Sequence, residues 1–359
     1  MILREKFLFL ENENQEITID TADIKQIYLK LQNNYSRKIF ENRFMYALTG
    51  DYRYIGNIIA NTDTGKKIGQ MLDTLGSICI YGAGIRGKLL VEMFPDKKWN
   101  GFIDLNKNGF YEDYIICSIK QFQYEPGTTI LISNYDRNEA KEILCELTEN
   151  RKVPRENIVV LNDYIENISD NIYIDPKYIG NISMKNKVFM DLGCFDGKDS
   201  IRAIEYFTDD SMDVYAFEPD QTNYMNCVNN LQPFTDRIHL QKKGVGCRKE
   251  TGYFTEGGAG ARFCEQGESL VEIDTIDHAA EDQNVGFIKM DIEGYEEAAI
   301  IGGAKTIKRC SPVLAICVYH KKSDIWKIPL KILEINPNYK FYLEHYTFGW
   351  SDTVLYAVV

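Results

Sequence analysis

The sequence predicts an α/β protein built from two Rossmann-like, doubly wound units, with a helical segment in front of them. Three observations carry that prediction. Val188-Phe-Met-Asp-Leu-Gly-Cys-Phe-Asp-Gly197 is an apolar run that breaks into a glycine-bearing turn, and a helix-compatible run follows over 198–207. Asp213-Val-Tyr-Ala-Phe-Glu-Pro219 is a second buried-strand pattern, with Glu218 at its carboxyl end. Nearer the N-terminus, Ser77-Ile-Cys-Ile-Tyr81 leads into Gly82-Ala-Gly-Ile-Arg-Gly87, a G-x-G-x-x-G turn with a strand before it and a helix after it.

Residues 1–72 read as helical, with apolar positions at Ile24, Ile27, Tyr28 and Leu31 in helical spacing, and serve as a cap or an oligomerisation segment. Residues 73–163 form the small Rossmann-like unit. Its first strand and glycine turn are followed by a helix over 88–94 and by Gly101-Phe-Ile-Asp104, a strand ending in an acid. A strand over 128–133, a helix over 139–149 and a strand over 157–161 complete it. Gly82, Gly84, Gly87 and Asp104 are the candidate nucleotide residues, for NAD or another nucleotide. No second mononucleotide half follows, so a purely structural glycine turn stands beside that reading. Residues 164–186 read as a linker. Residues 187–359 are the second unit, with later strands over 237–241, 286–291 and 312–320. Its last two strands, 340–346 and 353–359, have no helix between them, which predicts an antiparallel hairpin at the sheet edge.

Composition narrows the function classes. The chain has 359 residues, enough for two or three domains, and 44% hydrophobic residues, enough to bury real cores. No apolar run approaches the roughly 18 residues of a membrane span. The apolar start gives way to acidic residues by Glu11, with no small-residue cleavage site, so no signal peptide is expected. Nine cysteines are scattered and never spaced Cys-x-x-Cys, which argues against zinc and for reduced thiols in the cytoplasm. A net charge of -12 disfavours a nucleic-acid partner.

The two turns differ in wording. Asp191-Leu-Gly-Cys-Phe-Asp-Gly197 is not a dinucleotide fingerprint. An acid at a glycine turn suits the cationic end of S-adenosylmethionine better than a pyrophosphate, and Glu218 suits the two ribose hydroxyls. The expected cofactor residues are Asp191, Gly193, Cys194, Asp196, Gly197, Glu218, Pro219 and Asp291.

Residues 187–359 resemble the FkbM family of S-adenosylmethionine-dependent methyltransferases. The resemblance rests on the Asp191–Gly197 turn, Phe217-Glu-Pro219, Asp274-Thr-Ile-Asp277 and, above all, Ile288-Lys-Met-Asp-Ile-Glu-Gly-Tyr-Glu296. Cys194-Phe195 departs from the Ala-Asn commoner in that turn. The resemblance implies a class I methyltransferase sheet and O-methylation of a saccharide, sugar-nucleotide or polyketide-type hydroxyl, in glycan or natural-product biosynthesis.

Methyl transfer to a hydroxyl needs an oriented acceptor and a place for its proton. Such groups belong at the carboxyl ends of parallel strands. His320, after a long apolar strand, is the expected base, with Asp291 and Glu293 orienting it, gripping the acceptor or holding a divalent cation. Lys289 and Arg262 are the expected acceptor contacts, Arg262 on a glycine-rich flap over 255–267. Two rival readings remain at this level: an NAD-dependent nucleotide-sugar oxidoreductase, and a non-enzymatic nucleotide-binding scaffold.

Overall fold

The computed structural model describes residues 6–12, 15–134, 136–165, 172–208, 211–254, 263–264 and 269–359. It divides into two compact units. The larger comprises residues 1–47, 170–344 and 352–359, and the smaller residues 48–169 and 345–351.

A parallel strand covered on both faces needs apolar side chains in both directions. Val188–Leu192, Val285–Met290 and Val313–Cys317 are buried at every position, and they form the centre of the larger unit's seven-stranded sheet. On one side lie Asp213–Phe217 and Ile238–Gln241, and these five strands pair in parallel. On the other side Thr353–Val358 pairs antiparallel with Val313–Cys317, and Lys340–His345 closes the edge. The chain therefore steps outward in one direction from Val188–Leu192, then returns to its other flank at Val285. Such a reversal opens a crevice beyond the carboxyl ends of the strands.

Register decides what lines that crevice. Leu192 pairs with Phe217 on one side and Met290 on the other. Gly193, Glu218 and Asp291, each one residue further on, consequently emerge side by side.

Two expectations change here. Lys6–Asn12 and Gln15–Asp20 form an antiparallel pair, where the sequence reading expected helix. The alternation in Glu16-Ile-Thr-Ile-Asp20 has period two, and it outweighs the helical spacing that begins only later. Asp20 then caps the helix Thr21–Lys30, its carboxylate accepting from the Ala22 amide at 3.0 Å. From residue 172 on, the segment expected as a linker contributes buried residues to the larger unit instead. Ile172, Tyr173, Ile174, Tyr178 and Ile179 are buried, and Tyr178 stacks on Tyr356 at 4.9 Å.

The smaller unit is a six-stranded sheet in the order Gly109–Tyr111, Tyr114–Ser118, Trp99–Asp104, Ser77–Tyr81, Thr128–Ile132, Ile158–Val160. All pairs are parallel except the first, a hairpin at the edge. Among the described residues, no helix is long and apolar enough to cross a membrane.

Candidate functional site

The crevice of the larger unit holds a cavity of about 420 Å³, within the usual range for small-molecule sites. Its first wall is the glycine turn. Gly193 has φ +82°, and a Cβ there would sit 1.9 Å from the Asp291 carbonyl oxygen, so only glycine allows the strands to approach this closely. Gly197, also at positive φ, starts the helix Lys198–Phe207 but does not line the cavity. Cys194, Asp196 and Pro219 do.

Glu218 is 5% exposed and accepts one backbone N–H on each oxygen, from Phe195 and from Asp220, both at 2.9 Å. Burial pushes its carboxyl up to about 7, against the pull of those two amides. The same burial pushes Asp199, which faces the cavity from the first turn of the following helix, up to about 6 despite neighbouring Lys289.

Asp191 and Lys289 take places other than those expected. Asp191 is fully buried, accepts from Ser200 Oγ at 2.6 Å and pairs with Lys289 Nζ at 3.0 Å. It stands behind the cavity wall, because its side chain leaves a strand whose two faces are both covered. Lys289, 2% exposed, also donates to the Gly193 carbonyl at 2.6 Å and lies 3.5 Å from Asp199. Burial works against its charge, but the surrounding carboxylates outweigh this and hold its pKa above the usual lysine value. Its hydrogen bond to the Gly193 carbonyl ties the strand to the glycine turn, and the two carboxylates hold its charge at the inner wall of the cavity.

The signature around Asp291 separates into distinct tasks. Asp291 faces the cavity, accepts from Tyr173 Oη at 2.7 Å, and lies 3.3 Å from His320 Nε2. Burial would raise its pKa, but the His320 imidazole beside it, with Lys289 and Tyr173, holds it well below the ordinary carboxylate range. Glu293, at φ +53°, lines the mouth with its carboxylate 3.7 Å from His320. Neither acid caps the next helix. Glu296, fully buried, accepts from the Ile292 amide at 3.0 Å and meets His320 Nδ1 at 2.9 Å.

His320 is thus enclosed between Glu296 and Asp291, with its ring against Tyr319 at 4.2 Å. Burial disfavours its charged form, yet the two carboxylates prevail and hold its pKa well above the ordinary histidine value. It is not part of the cavity wall. The histidine expected as the base is held between two carboxylates that favour its charged form.

Residues 196–348 match the family model described as the methyltransferase FkbM domain. The chain carries an FkbM methyltransferase domain. The domain belongs to the S-adenosylmethionine-dependent methyltransferases. Among solved structures, the methyltransferase FkbM of Methylobacillus flagellatus KT is 19% identical, with 86% of this chain and 98% of that chain covered at a TM-score of 0.50. That likeness shows the fold. A SAM-dependent methyltransferase of Aquifex aeolicus is 12% identical over 62% of this chain and 98% of its own, with a TM-score of 0.32. Aeropyrum pernix fibrillarin, solved with natively bound S-adenosyl-L-methionine, is 13% identical over 51% and 71%, with a TM-score of 0.32. No curated protein matches the sequence significantly.

The FkbM cavity fits its cofactor on its own features. Asp196, Asp199, Glu218, Asp291, Glu293 and Asp352 outnumber Lys198, Lys243 and Lys289 around it. A wall with this balance favours a sulfonium and an ammonium, and disfavours a pyrophosphate. Sequence reasoning missed Tyr173 and Asp199, whereas Tyr319 belongs to the C-terminal aromatic residues that the sequence offers for stacking on a sugar face. Asp199 had a signal, an acid just after the second glycine, whereas Tyr173 had none, since it arrives from the supposed linker. Asp274 and Asp277 of the family blocks are spent on His278, Lys243 and the amides of Lys305 and Thr306. Arg262 and most of the expected flap lie outside the described residues.

In the smaller unit Gly82, Gly84, Gly87 and Asp104 do come together around a second cavity. Asp104 is engaged already, accepting from the amides of Ala83, Asn106 and Lys107 at 3.0 to 3.1 Å.

Proposed function

We propose that the FkbM domain methylates a hydroxyl of a saccharide or sugar nucleotide. The reading is carried by one juxtaposition: Glu218 and the Gly193 turn share a single cavity with Asp291, Glu293 and Tyr319. The cofactor supplies a methyl carbon on a cationic sulfur. The residues supply position, charge and a destination for one proton. Glu218 accepts from the ribose hydroxyls with the lone pairs its two backbone contacts leave over, and Asp199 faces the amino acid end. Asp291 and Glu293 accept the hydrogen bond of the acceptor hydroxyl. Its proton would pass to a carboxylate as the oxygen lone pair takes the methyl carbon, the carbon–sulfur bond breaking with its electron pair left on the sulfur. His320, gripped by Glu296, keeps Asp291 oriented and is a positioning residue. Of the aromatic residues near the C-terminus, Tyr319 lines the cavity and offers an apolar surface to a sugar ring.

Ligand atoms of Asp291, Glu296 and His320 lie within 4.8 Å of one another, the spacing of a metal cluster. His320 Nδ1 already meets Glu296 Oε1 at 2.9 Å, and the reading assigns the cluster to a proton-holding chain.

The test uses the full chain, S-adenosylmethionine labelled on its methyl group, and a panel of sugar nucleotides and free saccharides. Label is expected on a sugar hydroxyl, located by mass spectrometry. Label that reaches only nitrogen or carbon acceptors would overturn the saccharide reading. Activity lost in EDTA and restored by magnesium would return the cluster to a metal.

A further inference from the structure

A cavity of about 530 Å³ in the smaller unit, at the carboxyl end of Ser77–Tyr81, has no part in the chemistry above. Its glycines are not equivalent. Gly82, at φ +110°, would bring a Cβ to 2.7 Å from Ser133 Oγ, and a Cβ on Gly87 would strike the Gly82 carbonyl at 2.1 Å. The turn itself requires both. Gly84 has an ordinary extended backbone, and a Cβ there meets nothing within 4 Å. It is the N-cap of the helix Ile85–Met93, a position where serine, asparagine or aspartate would be more stabilising, and as a glycine it offers no side chain to cap that helix. The fold does not need a glycine here, but a ligand lying against the helix N-terminus would.

Other groups around the cavity agree. Asn134 Oδ1 is buried there and accepts no hydrogen bond from the described residues. Lys107 Nζ lies 3.3 Å from the Ala83 carbonyl, over the turn. The segment 345–351 adds Phe348 and Trp350 to the wall, with the Arg86 guanidinium 5.6 Å from the Phe348 ring. Asp104, at the place of the ribose-binding acid of a dinucleotide site, accepts from three backbone amides, two on Oδ1 and one on Oδ2.

We infer that this cavity binds a nucleoside diphosphate moiety, with its phosphates over Gly84 and the helix N-terminus and its base stacked on Trp350. Helix N-terminal amides and a lysine favour the phosphates, and aromatic stacking is tolerant of base identity. The inference is independent of the methyl-transfer reading.

Calorimetry on the full chain with ADP, UDP, NAD and pyrophosphate tests it. A nucleoside diphosphate is expected to bind, about tenfold or more weakly in both Gly84→Val and Trp350→Ala, while S-adenosylhomocysteine affinity stays unchanged as the control for folding. Gly84→Ser, a better cap, should raise thermal stability and still weaken the nucleotide. The inference is overturned if neither diphosphate binds, if NAD alone binds, if pyrophosphate binds as tightly as the diphosphates, or if both variants bind like wild type.

Discussion

Glu218 is pulled in two directions, by burial and by two amides, and its ordinary value of 4.5 rises to about 7. Below pH 4.5 the folded and unfolded chains both hold the proton. Between the two values only the folded chain does, so this contribution to stability is lost as pH rises toward about 7. Asp199, pushed up to about 6, acts in the same sense. The melting temperature of the ligand-free protein should therefore fall across that window, and Glu218→Gln should flatten part of the fall. Ribose hydroxyls donate to the ionised carboxylate, so S-adenosylhomocysteine should bind more tightly as pH rises through the same range. Glu218→Ala should weaken it roughly ten- to hundredfold, the loss of one or two charge-assisted hydrogen bonds. Unchanged affinity in calorimetry would remove Glu218 from the cofactor site. His320 gives the second residue-scale expectation. His320→Ala should lower kcat by roughly a hundredfold or more while cofactor affinity moves less than about twofold. Because the carboxylates around His320 favour its protonated form, a limb of the kcat profile between about 6 and 7 should belong to Asp199 or Glu218 and persist in His320→Ala. A limb near 6.5 that persists in Glu218→Gln and is lost only in His320→Ala would show that His320 titrates freely, and would restore it as the base.

At the scale of elements, the crevice exists because Leu192 is in register with both Phe217 and Met290. Gly193→Ala tests that arrangement. Its Cβ would overlap the Asp291 carbonyl, and alanine at φ +82° adds backbone strain of about 1 kcal/mol or more. Urea unfolding should show a loss of stability together with lost S-adenosylhomocysteine binding. Wild-type behaviour in both would mean that the strands part easily and the turn is not a fixed cradle. Strands such as Val188–Leu192 were legible in the sequence because burial on both faces leaves a continuous apolar run. The hairpin Lys6–Asn12 and Gln15–Asp20 was not read, although the alternation in its second strand was there to see. The small sheet formed by Gly244–Val245, Glu250–Phe254, Phe263–Cys264 and Ser269–Asp274 was hidden by the glycine-rich stretch that interrupts it.

At the scale of the whole molecule, a net charge of -12 should oppose any phosphate backbone. Fluorescence anisotropy with a labelled RNA at physiological salt should show no binding at micromolar protein, and a salt-sensitive rise would contradict this. Saturating S-adenosylhomocysteine should raise the unfolding free energy by about 2.7 kcal/mol at a hundred times its Kd. A denaturation midpoint unmoved by the ligand would mean that the folded protein does not bind it.

The sequence by itself determined the fold class, the two glycine turns and the position of Glu218 at the carboxyl end of its strand. Each of these is written in neighbouring residues, as a run, a spacing or a turn that must be made locally. Tertiary structure decided which side of a wall each charge occupies. Asp191 and Asp199 are both acids near one turn, yet only packing of the strand and the helix sends the first behind the wall and the second into the cavity. Tyr173 reaches Asp291 across 118 positions of chain, and Glu296 captures His320 across 24. Whether a histidine is a free base or a fixed cation depends on such distant partners, and no local pattern records them.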